Sequence, residues 1–392
     1  MGLSQRNYDI IIGGGGCAGL SLAWHLAQKT ELKSQNIALL DSFSRPTDDK
    51  TWCFWSDDFL PAPVPIHKSW GQLEIFAGNY HTRARLPRNL SYRCVRSDAF
   101  SQAMLNDLRK YRNIDLIRED VTGYEETDQN AVSVRTPARK LRAGFFFKCF
   151  GNADTSSARF PLLQHFKGRE IITNKDFFDT SQARLMDFRV AQKNGPTFVY
   201  ILPFSPRHAL VEYTLFSPEL LEQQEYDAAI DSYITDFMKL ESGSWEVERE
   251  EFGVIPMADQ LYRERESARI INMGTAAGLP KASTGYTFSR IHRRSAAVAR
   301  SLAQSGRVKT PKPSSWRFRA YDLMLLDILN QAPELYLSVF EALFKNNDIS
   351  RVLRFIDEQT NPLEDIKVMA SVPWAPFLKS GARNADLILK GV

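Results

Sequence analysis

The segment YDIIIGGGGCAGL, Tyr8 to Leu20, decides the fold class of this chain. An apolar, β-prone run leads directly into glycines spaced G-x-G-x-x-G at Gly14, Gly16 and Gly19. In a dinucleotide-binding turn, the first glycine allows a sharp bend, the second leaves room for a pyrophosphate, and the third lets the next helix pack closely against the strand. The N–H groups at the start of that helix stabilise the phosphate charge. The predicted nucleotide-binding residues of this segment are Gly14, Gly16, Cys17, Ala18 and Gly19.

A second apolar segment, Asn36 to Leu40, ends at an acidic residue, Asp41. Asp41 follows Gly19 by roughly 20 residues, the separation at which a carboxylate accepts the ribose hydroxyls of a dinucleotide. The glycine pattern alone also fits a purely structural turn. The order strand, glycine turn, helix, strand and acid favours a nucleotide site, with Asp41 as a further cofactor-binding residue.

The length of 392 residues exceeds the usual size of one hydrophobic core. We therefore expect two lobes, or one large fold with an appended helical part. No apolar run reaches the roughly 20 residues that span a bilayer. The first residues also lack the pattern of a secretory signal, so the expected location is the cytoplasm.

The net charge of +4 is too small to indicate nucleic-acid binding. Arginines gather within residues 83–96 and 290–294, which fits either a solvated basic face or contact with anionic lipid. The cysteines lack the spacing of a metal or redox site, so we expect buried free thiols. They are Cys17, Cys53, Cys94 and Cys149.

Late in the chain, a strand predicted at 268–273 enters the loop GTAAGLPKASTGY. A dinucleotide turn near residue 14 and a late glycine loop that opens a helix together indicate FAD, held along a groove, rather than NAD. Backbone N–H groups at the predicted helix start, 283–286, would then face the flavin pyrimidine edge. The alternative is a helix N-cap at Ser283 or Thr284, with Gly285 needed only for geometry. The predicted FAD-binding residues of this loop are Gly274, Thr284, Gly285 and Tyr286.

We predict an α/β fold in three parts. A discontinuous Rossmann-like FAD-binding domain is expected to comprise residues 1–70, 96–152 and 268–310. A β-rich substrate domain is expected to comprise 71–95 and 153–267, because longer β-prone runs dominate there. Apolar residues at helical spacing predict a C-terminal helical segment over 311–392.

One acidic residue, Glu212, lies inside the otherwise apolar run HALVEYTLF at 208–216. Two-residue alternation places it on the strand face of Leu210 and Thr214, whereas Tyr213 faces the other way. Burial raises the pKa of a carboxyl group, so Glu212 is a candidate proton donor near neutral pH. The alternative is that Glu212 lies at a sheet edge or pairs with an arginine.

Several aromatic residues are predicted to line an apolar cavity, in which their π faces would stabilise a cation. Core packing is the alternative role for each of them. The predicted substrate-binding residues are Trp52, Phe54, Trp55, Tyr200, Phe204 and Tyr213.

Together with the glycine turn, four separated stretches resemble the flavin-dependent lycopene β-cyclases. They are KTWCFW at 50–55, LVEYTLF at 210–216, GVIPMAD at 253–259 and GTAAGLPKASTGYTFS at 274–289. The strand with the catalytic acid in that family usually reads Glu-Glu-Thr or Glu-Asp-Thr, whereas this chain has Glu212, Tyr213 and Thr214. Lys281 and Ala282 stand where relatives commonly have His-Pro.

The resemblance implies that a proton starts the cyclisation of the linear ψ ends of lycopene, without net redox change. It implies that Glu212 is the acid or the carboxylate that stabilises the cation, that reduced FAD is the cofactor, and that NAD(P)H only reduces the flavin. A polyene substrate further implies peripheral contact with a membrane, for which the C-terminal helices and 372–378 are candidates. The alternatives are a flavin monooxygenase or isoprenoid reductase, and a non-catalytic prenyl-lipid escort protein.

Overall fold

The computed structural model describes residues 5–44, 50–55, 63–127, 130–152, 154–260 and 262–390. The strands within these ranges are β1 (Gln5–Gly13), β2 (Ile37–Leu40), β3 (Thr51–Phe54), β4 (Lys68–Trp70), β5 (Gln72–Ala77), β6 (Tyr80–Arg85), β7 (Tyr92–Arg96), β8 (Ile114–Ile117), β9 (Gly123–Thr127), β10 (Ala131–Arg135), β11 (Lys140–Lys148), β12 (Leu162–Thr173), β13 (Gln182–Asp187), β14 (Thr197–Ser205), β15 (His208–Ser217), β16 (Trp245–Met257) and β17 (Ile270–Asn272).

The α-helices in the same ranges are α1 (Cys17–Ala27), α2 (Ser97–Leu108), α3 (Gln223–Ser232), α4 (Phe288–Ser305), α5 (Trp316–Gln331), α6 (Tyr336–Asn346), α7 (Ile349–Ile356), α8 (Pro362–Ser371), α9 (Trp374–Arg383) and α10 (Ala385–Lys390). Within the described part of the chain, none of them has both the length and the apolar character needed to cross a bilayer.

The first sheet has the strand order β8-β2-β1-β11-β10-β9, and β17 also pairs with β11. Strands β8, β2, β1, β11 and β17 pair in parallel, whereas β10 pairs antiparallel with both β11 and β9. Helices α1, α2 and α4 bury their apolar sides in one core with this sheet. The predicted parallel, nucleotide-binding layer is therefore confirmed, and the late strand β17 does return to it.

The second sheet has the order β16-β12-β15-β14-β13-β5-β6. It contains the hairpin of β5 and β6, which turns at Gly78 with a positive φ of 58°. A third, small sheet has the order β3-β7-β4. Along the chain, β3 and β4 come before the hairpin of β5 and β6, and β7 comes after it. Residues 71–95 thus contribute to two different sheets, and the domain boundaries given above stay a prediction.

The two faces of the second sheet carry different covers. On one face, residues of α5 to α9 share a core with β5, β13 and β14. On the other face, α3 and the π-helical turn Tyr233–Phe237 pack on Val199, Val211 and Tyr213. The C-terminal segment is helical as predicted, and it covers the face of the sheet that shares a core with α5 to α9.

Local hydrogen bonds accompany the starts of two helices. Ser97 is the first residue of α2, and its hydroxyl accepts the Lys50 N–H at 3.1 Å instead of capping the helix. Helix α4 begins at Phe288, later than the glycine loop, because residues 281–286 close a turn of their own.

Candidate active site

A cavity of about 1100 Å³ extends between the first sheet, the second sheet and the C-terminal helices. One end is lined by the glycine turn and Asp41, and the middle by the late loop with Gly274 and Gly285. The other end is lined mainly by apolar and aromatic side chains of β14 and of α5 to α9. The three parts of the predicted site therefore share one cavity.

The glycine turn has the geometry that its spacing predicts. Gly14 has a φ of 98°, and a Cβ on Gly19 would lie 1.8 Å from the Gly14 carbonyl oxygen. Gly16 is the N-cap of α1, and a Cβ placed there would meet nothing within 4 Å. The turn packs closely behind and leaves open space in front, which fits a pyrophosphate at the start of α1.

Asp41 lies directly beside this turn. Its Oδ2 accepts the Gly15 N–H at 2.6 Å, and its Oδ1 accepts the Phe43 N–H at 2.7 Å. Asp41 thus both fixes the turn and lines the cavity.

The late loop lies against the glycine turn. A Cβ added to Gly274 would be only 2.9 Å from the Ala18 Cβ. The expectation that the N–H groups of Thr284 and Gly285 face a ligand is wrong. Both donate to the Lys281 carbonyl, at 3.1 and 2.8 Å, and so close the turn. The N-cap alternative is wrong too, since Thr287 is the N-cap of α4.

The cavity nevertheless presents polar atoms to a ligand. The Thr284 hydroxyl and the Gln164 side-chain oxygen are buried at its wall and have no hydrogen-bond partner among the described residues. Buried polar atoms normally have such a partner. A dinucleotide with a polar ring edge would supply one, so the residues present fit FAD.

Four residues of adjacent strands form one lateral row in the second sheet. Tyr200 on β14 pairs with Glu212 on β15, Glu212 with Gly168 on β12, and Gly168 with Glu251 on β16. The Tyr200 hydroxyl is hydrogen-bonded to Glu212 Oε1, and Thr214 Oγ1 lies 3.3 Å from the same oxygen. Because Gly168 has no side chain, nothing separates the two carboxyl groups.

Glu212 is completely buried at 0% exposure, on a strand between two others. The alternatives of a sheet edge and of an arginine partner are therefore wrong for this residue. Burial, and next the neighbouring Glu251, raise the pKa of Glu212 well above its usual value. These surroundings favour the protonated form of the carboxyl group.

Glu251 was not predicted from the sequence. It is buried, forms an ion pair with Arg249 at 3.0 Å, and accepts the Thr51 hydroxyl at 2.8 Å. The surrounding run WEVEREEF has so many charged residues that no alternation marks one of them as buried. The nearest signal is that Glu251 directly precedes Phe252 and the stretch GVIPMAD.

Only some of the predicted substrate-binding aromatics reach the cavity. Trp52, Trp55 and Tyr200 line it, and the Trp55 ring lies edge-on to Tyr286 with centroids 4.6 Å apart. The π faces of these rings are available to a cationic intermediate.

The remaining three aromatics lie elsewhere, which corrects the prediction. Phe54 stacks on Phe288 in the core of the first sheet, and Phe204 packs edge-on against the rings of His67 and His208. Tyr213 is on the opposite face of the second sheet, in the core with α3, because neighbouring residues of a strand point to opposite sides.

Lys281 ties the late loop to the C-terminal helices. It is 4% exposed, and its Nζ lies 2.8 Å from both oxygens of Asp322 on α5 and 3.2 Å from Glu358. Ser283 also donates to Asp322, at 2.7 Å. The loop that lines the middle of the cavity and the helices that cover its end are therefore joined by buried ion pairs.

Comparison with known proteins gives matches over most of the chain. The family model for lycopene cyclase protein matches residues 9–382. The lycopene β-cyclase of Pseudescherichia vulneris is 30% identical over 312 residues, which cover 76% of this chain and 74% of that protein. The lycopene β-cyclase of Pantoea ananas is 28% identical over 304 residues, 72% of each. A flavoprotein/dehydrogenase from Cytophaga hutchinsonii has the same fold, with a TM-score of 0.59 at 13% identity, covering 98% of this chain and all of that one.

Proposed function

The chain belongs to the lycopene cyclase protein family, and from this premise we propose that it is a lycopene β-cyclase that uses FAD. In enzyme classification it would be an isomerase, because substrate and product have the same atoms. The observation that carries the proposal is a fully buried Glu212, whose pKa is raised by that burial, next to a large apolar cavity that also contains a dinucleotide turn.

The reaction begins when a proton adds to the terminal double bond of a ψ end and leaves a tertiary carbocation. A neighbouring double bond attacks the cation and closes the six-membered ring. Loss of a proton from the adjacent carbon then gives the β-ionone ring. One proton is gained and one is lost, so no electrons are transferred overall.

We assign the initial proton to Glu212. A carboxyl group kept neutral by burial can act as a general acid at neutral pH. Its neighbour Glu251 carries the charge of the ion pair with Arg249, which makes a second negative charge on Glu212 unfavourable. The pair therefore holds one proton ready for transfer.

The cavity wall supplies the other requirements of a carbocation reaction. Trp52, Trp55 and Tyr286 offer aromatic faces, each of which stabilises a cation by about 0.5 to 2 kcal/mol. The apolar side chains of α5 to α9 exclude water, which would otherwise trap the cation as an alcohol. When bound along the glycine turn and the late loop, reduced FAD would supply an electron-rich ring system that stabilises positive charge, with NAD(P)H needed only to keep it reduced.

We also propose peripheral contact with a membrane, because a C40 hydrocarbon is stored in lipid. Helices α8 and α9 turn one side to the cavity, with Val368 and Phe377 on its wall. The same helices expose large apolar residues on their other side: Leu363 at 72%, Ile366 at 63%, Trp374 at 66% and Leu378 at 63%. Within 372–378, therefore, Val372 and Phe377 face inward and Trp374 faces outward.

The proposed function is tested by expressing the chain in a host that accumulates lycopene and identifying the pigment. We expect β-ring carotenoids from the parent chain and unchanged lycopene from Glu212→Gln, which removes the acidic proton and keeps the size of the side chain. The purified variant must still hold flavin, so that loss of activity is not loss of the cofactor. An oxygenated or more saturated product would show that the reaction class is wrong.

A further inference from the structure

Glu212 does not itself reach the cavity. Its side chain is completely buried, and the wall of the cavity beside it is formed by Tyr200. Tyr200 is only partly buried, and its hydroxyl is the group that hydrogen-bonds Glu212 Oε1. A proton leaving Glu212 for the substrate therefore meets the Tyr200 oxygen first.

Movement of Glu212 toward the cavity is opposed by its surroundings. The residue lies within the pairing of three strands, and Thr214 Oγ1 lies 3.3 Å from the same oxygen that Tyr200 contacts. A change of rotamer would break these contacts in a close-packed interior.

We propose that Tyr200 is a further catalytic residue, which relays the proton from Glu212 to the substrate. The inference rests on the function proposed above. In the step, the Tyr200 O–H bond breaks as a C–H bond forms at the ψ end, while the Glu212 O–H bond breaks and its proton moves to the Tyr200 oxygen. Tyrosine ends unchanged, Glu212 ends as a carboxylate, and the substrate carries the positive charge.

The chemistry of the two groups suits this step. A phenol and a protonated carboxyl each donate and accept, so their contact can conduct a proton in either direction without movement of heavy atoms. Burial and the nearby Glu212 raise the pKa of Tyr200 well above its usual value. A free phenolate is therefore unfavourable, and the two transfers must be concerted.

The test compares Tyr200→Phe with Glu212→Gln and with the control Tyr226→Phe. Tyr226 is also fully buried, but it lies on α3 in the core at the opposite face of the second sheet, where its hydroxyl contacts His165 and the Leu221 N–H. We expect Tyr200→Phe to keep flavin and a near-parent KM, because the ring is retained, while kcat falls about 10²- to 10⁴-fold. Tyr226→Phe should keep most of its activity.

A second measurement needs no variant. In mixtures of H₂O and D₂O, the rate of the parent enzyme should curve downward with deuterium content, because two protons move in one step. A straight line, or a Tyr200→Phe enzyme with parent kcat, would overturn the relay. If the relay failed but Glu212→Gln were inactive, the proposed function would stand without the relay. If Glu212→Gln were fully active, the assignment of Glu212 as the acid would fail.

Discussion

Glu212 and Glu251 face each other across Gly168, in register on three adjacent strands. The two acids differ in their partners. Glu251 has the Arg249 guanidinium and the Thr51 hydroxyl, whereas Glu212 has the neutral hydroxyls of Tyr200 and Thr214. Different surroundings divide one proton and one negative charge between them, which is how paired carboxyl groups take separate roles.

The pH dependence of cyclisation should respond to Glu251. Activity requires protonated Glu212, so it is present below the pKa of this group and is lost as the pH rises through it. Since Glu251 helps to raise that pKa, Glu251→Gln should move the loss of activity to lower pH. The exposed Glu246 on the same strand offers the matched control Glu246→Gln, which should leave the profile in place.

A rate profile of Glu251→Gln identical to that of the parent would show that the two acids are not coupled. If this variant folds poorly, Gly168→Ala gives a second route to the pair. The added methyl would lie 2.9 Å from the Leu210 Cδ1 and 3.1 Å from both Glu212 Oε2 and the Glu251 Cγ, so it would displace side chains at the pair. Gly71→Ala, where nothing lies within 4 Å, is its control.

Flavin binding should depend on Gly19. In Gly19→Ala, the new Cβ would lie 1.8 Å from the Gly14 carbonyl oxygen, so α1 must move away from the turn that it forms with β1. We expect the purified variant to lack flavin absorbance, whereas Gly71→Ala should retain the parent amount. A Gly19→Ala protein that carries flavin at the parent ratio would contradict the placement of the cofactor on this turn.

The buried ion pair of the late loop should matter for stability. Lys281→Met leaves Asp322 buried without its counter-charge, which should lower the free energy of unfolding by about 3 to 5 kcal/mol. The double variant Lys281→Met, Asp322→Asn should recover part of the loss. Lys110→Met removes the exposed pair with Asp107 and should leave the value nearly unchanged, because solvent screens this pair. Denaturant unfolding measures all three, and equal effects of the two lysines would rule out this role for Lys281.

Membrane contact should depend on the exposed sides of α8 and α9. Serine at Leu363, Ile366, Trp374 and Leu378 should reduce sedimentation with vesicles of anionic phospholipid, because it removes the apolar surface that enters the interface. Lys367 and Lys379, on the same helices, form no ion pair with other described residues, so neutral vesicles should bind less.

The control for this experiment replaces Phe177 and Val247, which are also exposed but lie on other parts of the surface, by serine. Both sets of variants should convert lycopene delivered in detergent at the parent rate. Vesicle binding that survives the loss of the four helical residues would place the contact elsewhere.

In the late loop, the positions of the glycines were predictable from the sequence, whereas the hydrogen bonds of the backbone were not. Gly274 and Gly285 were correctly expected at the cavity, because glycine spacing is a local property. The free N–H groups expected at Thr284 and Gly285 were not found, because the Lys281 carbonyl accepts both. A carbonyl that competes for the same donors is recognised only when the turn is seen.

The sequence by itself determined the glycine turn, the Rossmann-like layer and the place of Glu212 inside an apolar strand. Each of these follows from neighbouring residues, through backbone freedom or two-residue alternation along a strand. Only the tertiary structure decided that Glu251 lies opposite Glu212, that Tyr200 stands between Glu212 and the cavity, and that Lys281 meets Asp322. The order of strands in a sheet and the placement of helices over it depend on the packing of the whole chain, and no local pattern encodes which distant side chains meet.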